Sequence, residues 1–264
     1  MKNYGSEWKR RLRAGEFILG GHLFLPNAAM AEAMAVFGYQ YLWIDAEHGA
    51  YDKAEILAHI TAVNGAGAGA IVRVTSNEAA LIKPVLEMGP DGIIVPMVNS
   101  AEEAAAFVSA CTYPPGGTRG FGPRRANRYG ALSDPEYLGS IDESLVKIIQ
   151  IEHRKGLENI DRILDVPGID SVVIGPYDLS GSMNLLGQLL HPDLLAACRH
   201  IVERCKAHHV PCGPSIGPGN EEFLRFWLDQ KTDFLFCGDD LSFVKTGTES
   251  TIAKIYEYNS RSVR

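Results

Sequence analysis

Short apolar runs alternate with longer amphipathic stretches along nearly the whole chain. Phe17–Phe24 (FILGGHLF) reads as a strand, and Ala28–Phe37 as a helix ending at Gly38. Tyr41–Ile44 is a strand followed by a helix over Asp52–Val63, and Gly69–Val74 a strand followed by Asn77–Met88, stopped at Gly89-Pro90. Gly92–Val95 leads to a helix over Ala101–Cys111, and a Gly/Pro/Arg-rich loop then covers Pro114–Gly130. Leu145–Ile151 leads to Lys155–Leu164, Asp170–Ile174 to Pro192–His208, and a short strand at Val210–Cys212 to Asn220–Leu228. Asp233–Cys237 and a last helix from about Ser242 to Tyr258 complete eight strand–helix units.

The strand runs are β-branched or aromatic and apolar on both faces, as buried parallel strands are. The helices open at Asn, Asp or Ser and often close at Gly. Eight such units predict an α/β fold, a closed (β/α)₈ TIM barrel forming one domain over residues 1–264. A doubly wound open sheet is the second reading. It ordinarily has fewer strands and a phosphate-binding glycine turn after the first. No repeat, low-complexity segment or polar linker divides the chain.

Composition narrows the function classes. The net charge of −7, from 32 acids and 25 bases, argues against polyanion binding, so no nucleic-acid partner is expected. No run of about 18 apolar residues predicts a membrane span. The opening MKNYGSEWKRRLRAGE is charged without an apolar core, so a secretory signal is not expected. The five cysteines (Cys111, Cys198, Cys205, Cys212 and Cys237) are scattered without a C-x-x-C pair. Free thiols and a cytoplasmic location are expected.

Catalytic groups of a barrel stand where its strands end. After strand two comes Asp45-Ala46-Glu47-His48, and Arg73 ends strand three. Gln150-Ile151-Glu152-His153 ends strand five, and Gly175-Pro176-Tyr177-Asp178 follows strand six. Pro214 and Ser215 follow strand seven, and Gly238-Asp239-Asp240 strand eight. Singly, Asp178 reads equally as a helix cap and Arg73 as the partner of a core carboxylate. Their accumulation at one end of several strands points to a site. Glu152 and Asp178, 26 residues apart on adjacent strands, suit a hard divalent ion such as Mg²⁺, Mn²⁺ or Co²⁺. His153 alternates away from Glu152 and reads as structural. Asp45 and His48 offer a carboxylate–imidazole dyad for proton transfer near neutral pH.

Other chemistries find little support. No G-x-S-x-G elbow marks a serine hydrolase. Schiff-base chemistry needs a lysine ending a strand, but Lys147 lies within one and Lys83 within a helix. The loop Gly116–Gly130 holds four arginines among glycines. It is no dinucleotide fingerprint, because no strand precedes it. It reads as either a solvated loop or an anion-recognising or subunit-contacting loop over the barrel mouth.

These stretches resemble the HpcH/HpaI aldolase family, class II pyruvate aldolases of the phosphoenolpyruvate/pyruvate barrel superfamily. The matching motifs are WIDAEHGAYD (43–52), IVRV (71–74), DGIIVPMVNSAEEA (91–104), YPPGGTRGFGPRRANRYG (113–130), IIQIEHRKGLENI (148–160) and IGPYDLSGSM (174–183). Within that family, 4-hydroxy-2-oxoheptanedioate, 2-dehydro-3-deoxyglucarate and 2-keto-3-deoxyrhamnonate aldolases are similar by motif.

The resemblance implies a carbon–carbon lyase. It cleaves a 4-hydroxy-2-oxo acid reversibly to pyruvate and an aldehyde, through an enolate on a divalent metal and without an organic cofactor. By motif, Glu152 and Asp178 match the metal ligands, Arg73 the arginine on the keto oxygen, and His48 with Asp45 the acid/base pair. Gln150 lines the pyruvate pocket, and the turn Gly175, Pro176, Tyr177 and Asp178 holds the carboxylate through the amides of Tyr177 and Asp178. Ser215 joins the substrate-binding set. Glu87 stands where the family often has Asp, near the neighbouring subunit's site, and Tyr177 replaces a small residue. Both departures bear on substrate preference. A homo-oligomer is implied, a hexamer built as a trimer of dimers with the last helix exchanged. Alternatives are a citryl-CoA-lyase-like or oxaloacetate-decarboxylating enzyme, or a barrel that binds a ligand without chemistry.

Overall fold

The computed structural model describes residues 3–261, and in chain order its helices and strands alternate. They run α1 Tyr4–Arg13, β1 Ile18–Leu23, α2 Ala28–Val36, β2 Tyr41–Asp45, α3 Lys53–Gly65, β3 Gly69–Arg73, α4 Ala79–Glu87, β4 Gly92–Val95 and α5 Ala101–Cys111. After a 3₁₀ turn over Arg125–Gly130 follow α6 Asp134–Ser144, β5 Val146–Ile151, α7 Arg154–Glu158, α8 Ile160–Leu164, β6 Ser171–Ile174 and α9 Pro176–Ser182. The chain continues through α10 Pro192–Ala207, β7 Cys212–Ile216, α11 Glu221–Asp229, β8 Phe234–Asp239 and α12 Asp240–Arg261. All eight strands pair in parallel with their neighbours, and β8 returns to β1, so the sheet is a closed barrel and not an open one.

Side chains alternate across each strand. Leu42, Ile44, Ala70, Val72, Ile93, Val95, Ile149 and Ile151 point outward into one apolar cluster with the helices. Tyr41, Trp43, Ile71, Ile94, Val146, Ile148, Val173, Phe234 and Phe236 fill the interior. The same parity carries Asp45 beyond Trp43, Arg73 beyond Ile71, and Gln150 and Glu152 beyond Ile148. Each interior file thus changes from apolar to polar where its strand ends.

The helix α1 was not foreseen in the sequence pattern; it closes the other end of the barrel. Its amide at Tyr4 donates to Asp91 Oδ1 (3.1 Å), and Tyr41 Oη donates to the Tyr4 carbonyl (2.7 Å). Trp8 is fully buried, its ring 4.8 Å from Tyr41 and 5.0 Å from Phe234, its Nε1 donating to Ser171 Oγ (3.1 Å). Trp8→Ala is expected to cost about 3–5 kcal/mol, because the cavity it leaves has rigid walls. Urea unfolding measures this, and a loss below about 1 kcal/mol would show that α1 is no plug.

Other departures have local causes. The seventh strand lies at Cys212–Ile216 and not at Val210–Cys212. Gly213-Pro214 reads as a break, yet Gly213 is in the strand because a Cβ there would lie 2.0 Å from the Phe234 carbonyl oxygen. The helix α6 lies in a stretch left without an element. It is held by a capping box between Ser133 and Glu136. The short α9 follows β6 before the expected α10, and the helix after β5 is broken at Asn159. The helix expected from Asn77 starts at Ala79, with Glu78 in the N-cap position.

The arginine-rich loop corrects a second expectation. It follows a helix, so it returns to the face of the barrel where strands begin, not to the mouth. Arg119 lies over the Tyr113 ring (4.4 Å) and donates to Tyr137 Oη (3.1 Å). Arg125 donates to the carbonyls of Met88 (3.1 Å) and Gly89 (2.8 Å) at the end of α4. These two arginines tie chain segments together. All five cysteines are free. Among the described residues no helix is long and apolar enough to cross a membrane.

Candidate active site

A cavity of about 290 Å³ opens where the strands end. It is lined by Asp45, His48, Arg73, Gln150, Gly175, Pro176, Tyr177, Asp178 and Ser215, together with His22, Phe24, Ile216, Gly217 and Asp239. Seven different strands or the turns after them thus contribute to one pocket. A second hollow of about 550 Å³ adjoins it through Tyr177 and Gly217 and reaches Leu190, His191 and Asn220.

Arg73 organises the charged side of the site. Asp45 and Arg73 are direct partners in the β2–β3 register. The Arg73 Nε donates to Asp45 Oδ1 at 3.0 Å, and Nη2 donates to Asp45 Oδ2. Its Nη1 lies 3.0 Å from Glu47 Oε2 and donates to Gln150 Oε1 at 3.4 Å. The guanidinium also stands 4.9 Å above the Trp43 ring. A planar fork with several donors can serve these partners at once. The fully buried Asp45 additionally accepts from the backbone amides of Glu47 (3.1 Å) and His48 (3.2 Å).

That arrangement revises the expected dyad. The hydrogen bonds of Asp45 go to Arg73 and to the turn's backbone, and the His48 imidazole receives none of them. Asp45 shapes the turn that presents His48 to the cavity and holds the arginine.

Gln150 connects the arginine to Glu152, with Nε2 donating to Glu152 Oε2 at 2.5 Å. The other Glu152 oxygen accepts from the Met97 amide at 2.7 Å. Glu152 is 3% exposed and stands behind Gln150 and Gly175 on the cavity wall. Burial raises its carboxyl to about 7, and the negative charges of Asp178 and Glu47 push the same way against Arg73 and the Met97 amide. Glu47 is likewise raised, first by burial. Gly175 is required here: a Cβ would lie 2.8 Å from Gln150 Nε2 and Glu152 Oε2.

Pro176 begins α9, so the amides of Tyr177 and Asp178 fall in its first turn. There they have no partner within the helix. Both side chains are exposed at the mouth. His153 turns away, its Nδ1 accepting from the Lys155 amide (3.0 Å) as the cap of α7. Glu87 lies apart from its own chain's cavity, 3.6 Å from Arg119 Nη2. His22 and Glu47 escaped notice as single residues. The signal for His22 was present: it is the one polar side chain in FILGGHLF.

Three carboxylates, Asp45, Glu47 and Glu152, thus surround the Arg73 guanidinium, and Asp178 and Asp239 add to the negative charge of the mouth. Among the described residues no three or more His, Cys, Asp or Glu side chains converge as a metal-binding group. The surplus of negative charge fits a dication held by two carboxylates, with water and substrate completing its shell. That suits Mg²⁺, Mn²⁺ or Co²⁺ better than a zinc site rich in His or Cys.

A closed parallel barrel with a charged pocket where its strands end has the layout of a (β/α)₈ enzyme. The chain belongs to the HpcH/HpaI aldolase/citrate lyase family, whose profile matches residues 21–215, and it is accordingly a lyase of the aldolase type. It is 32% identical over 247 residues to the 5-keto-4-deoxy-D-glucarate aldolase of Salmonella arizonae, covering 93% of this chain and 95% of that protein. Among solved structures it is similar to an HpcH/HpaI aldolase/citrate lyase family protein from Burkholderia cenocepacia. The TM-score is 0.89 at 28% identity, covering 95% of this chain and 99% of that one. The citrate synthase SbnG is also similar, with a TM-score of 0.84, 29% identity and coverage of 96% and 98%.

Proposed function

We propose that this chain cleaves a 4-hydroxy-2-oxo acid reversibly to pyruvate and an aldehyde, with 5-keto-4-deoxy-D-glucarate or a close analogue as substrate. The observation that carries this reading is the pocket's charge pattern: one guanidinium, braced on three sides, among five carboxylates at the barrel mouth. The curated relatives named as aldolases support it.

Glu152 and Asp178 are the residues that would hold a divalent cation. When bound, it supplies Lewis-acid stabilisation of negative charge at the substrate's 2-oxo oxygen. The amides of Tyr177 and Asp178, free in the first turn of α9, bind the substrate carboxylate. Arg73 donates to the 2-oxo oxygen as charge gathers there, and Asp45 and Glu47 keep its plane from turning. His48 stands in the cavity wall and removes the proton of the 4-hydroxyl, directly or through a water. The C3–C4 bond then breaks, the aldehyde leaves, and C3 of the three-carbon fragment takes up a proton. Gln150 sets the spacing by bonding Arg73 with its oxygen and Glu152 with its nitrogen.

The homo-oligomer implied by the resemblance fits the last helix. Phe243, Ile252, Ile255 and Tyr256 of α12 are 43%, 48%, 60% and 71% exposed, an apolar surface that a second copy would cover. Glu87, remote from its own cavity, would serve a neighbour's.

The test needs no knowledge of the aldehyde. Metal-stripped protein is incubated with pyruvate in D₂O, with Mg²⁺, Mn²⁺ or EDTA, and methyl-proton exchange is read by NMR after quenching. Exchange that requires metal and vanishes in Glu152→Ala is the expected result. Its absence with every metal would sink the pyruvate reading.

A further inference from the structure

His22 is buried near the C-terminal end of β1, at the cavity, among aromatic rings: Trp43 at 5.1 Å, Phe236 at 5.9 Å and Phe24 at 6.0 Å. A polar ring in such a place needs both nitrogens satisfied. Its Nδ1 lies 3.0 Å from the Gly238 carbonyl oxygen. A carbonyl only accepts, so Nδ1 carries the hydrogen. Burial holds the imidazole below its ordinary pKa, so the ring is neutral and Nε2 is a lone pair. That lone pair lies 2.8 Å from Ser215 Oγ on β7. Ser215 therefore donates its one proton to His22. Its two lone pairs remain, and the side chain faces the cavity. Gly238 has φ of +86°, and a Cβ there would lie 2.5 Å from the Phe243 ring, so this carbonyl's turn is reserved for glycine.

We propose that Ser215 is a specificity-determining hydrogen-bond acceptor that selects a hydroxyl group on the ligand, with His22 as the positioning residue that keeps the serine proton out of the pocket. A carbonyl, ether or carboxylate oxygen at the same place sets lone pair against lone pair, while a methyl group leaves the acceptor unpaired. The inference rests on the pyruvate-aldolase reading and refines its substrate. The hydroxyl belongs either to the 2-oxo acid or to the aldehyde, and the experiment separates the two.

Two ligand pairs differ by one hydroxyl. Pyruvate and 3-hydroxypyruvate are compared by C3 proton exchange. Propanal and lactaldehyde are compared as acceptors in pyruvate addition. The metal-loaded enzyme is expected to favour the hydroxylated member of one pair. Ser215→Ala is expected to lower that pair's kcat/KM ratio about tenfold, the net scale of a single hydrogen bond, and to leave the other ratio unmoved. Ser215→Cys, similar in size but a weak acceptor, is expected to lose the same preference, which guards against a packing artefact. His22→Phe keeps a ring of similar shape and frees the serine proton, so the ratio again falls. A merely structural role would slow both members of a pair equally. Metal-dependent exchange with both ratios unmoved in the three variants overturns this inference alone. Exchange with neither pyruvate nor hydroxypyruvate in the parent enzyme overturns the pyruvate reading and this refinement with it.

Discussion

Arg73→Lys is expected to slow pyruvate methyl exchange by roughly 10²–10³-fold, with a much smaller change in KM. The reason is geometric. The guanidinium is held in one plane by Asp45 on two of its nitrogens, and by Glu47 and Gln150 on the third. Its orientation is therefore settled before substrate arrives, and donors fixed in advance cost no reorganisation as charge develops. Lysine keeps the positive charge but is a point donor on a flexible stem, and cannot span Asp45, Glu47 and Gln150 together. Steady-state exchange kinetics across pyruvate concentrations separate the two effects. A kcat within about twofold of the parent would remove Arg73 from the chemistry and leave it a structural partner of Asp45.

The second large effect concerns stability and has the opposite sign from the effect on function. Glu152 has its carboxyl raised to about 7, chiefly by burial. An acid raised in the folded state binds its proton more tightly there than in the unfolded chain. Its contribution is therefore most favourable below the unfolded value of about 4.5 and is lost as pH rises toward 7. The window spans roughly 2.5 pH units, each worth about 1.4 kcal/mol, so ionised Glu152 costs up to about 3 kcal/mol at pH 8. Glu152→Gln removes that cost. In metal-free buffer at pH 8 the variant is expected to unfold at higher urea concentration than the parent, and the difference is expected to shrink toward pH 5. Added Mg²⁺ or Mn²⁺ stabilises the parent and not the variant. Equal stability of the two proteins at both pH values would show that Glu152 carries no strain of this kind.

Much of the barrel is legible in the chain because its signals are local. Apolar runs such as GAIVRV and LVKIIQI have the length and composition of buried strands, and stops such as Gly38 and Gly89-Pro90 end the helices between them. Period-two alternation then does more than locate strands. It places Asp45 in the file of Tyr41 and Trp43, and Glu152 in the file of Ile148 and Gln150, so the polar ends of those files share the interior. The gathering of Arg73, Gln150, Asp178 and His48 at one mouth follows from strand direction alone.

Two of the departures have their reason in another part of the chain. Cys212–Ile216 is a strand because Gly213 lets the Phe234 backbone approach, and no pattern within CGPSI reveals that. The first helix is amphipathic in a charged segment, and only the open barrel end beneath Trp8 shows what its apolar face is for.

Partnership is likewise beyond the linear pattern. Asp45 and His48 are neighbours in sequence, but the β2–β3 register sets Arg73 directly across from Asp45, and the bidentate guanidinium takes the buried carboxylate. His22 and Ser215 lie 193 residues apart and meet only because the barrel closes β8 onto β1 and brings β7 near. The sequence by itself determined all the strands but the seventh, most of the helices, their direction and the side each strand residue faces, since these depend on spacing along one strand or helix. Which groups touch across the barrel, and so which proton sits on which atom, was decided by closure and register, which depend on contacts between residues far apart in the chain.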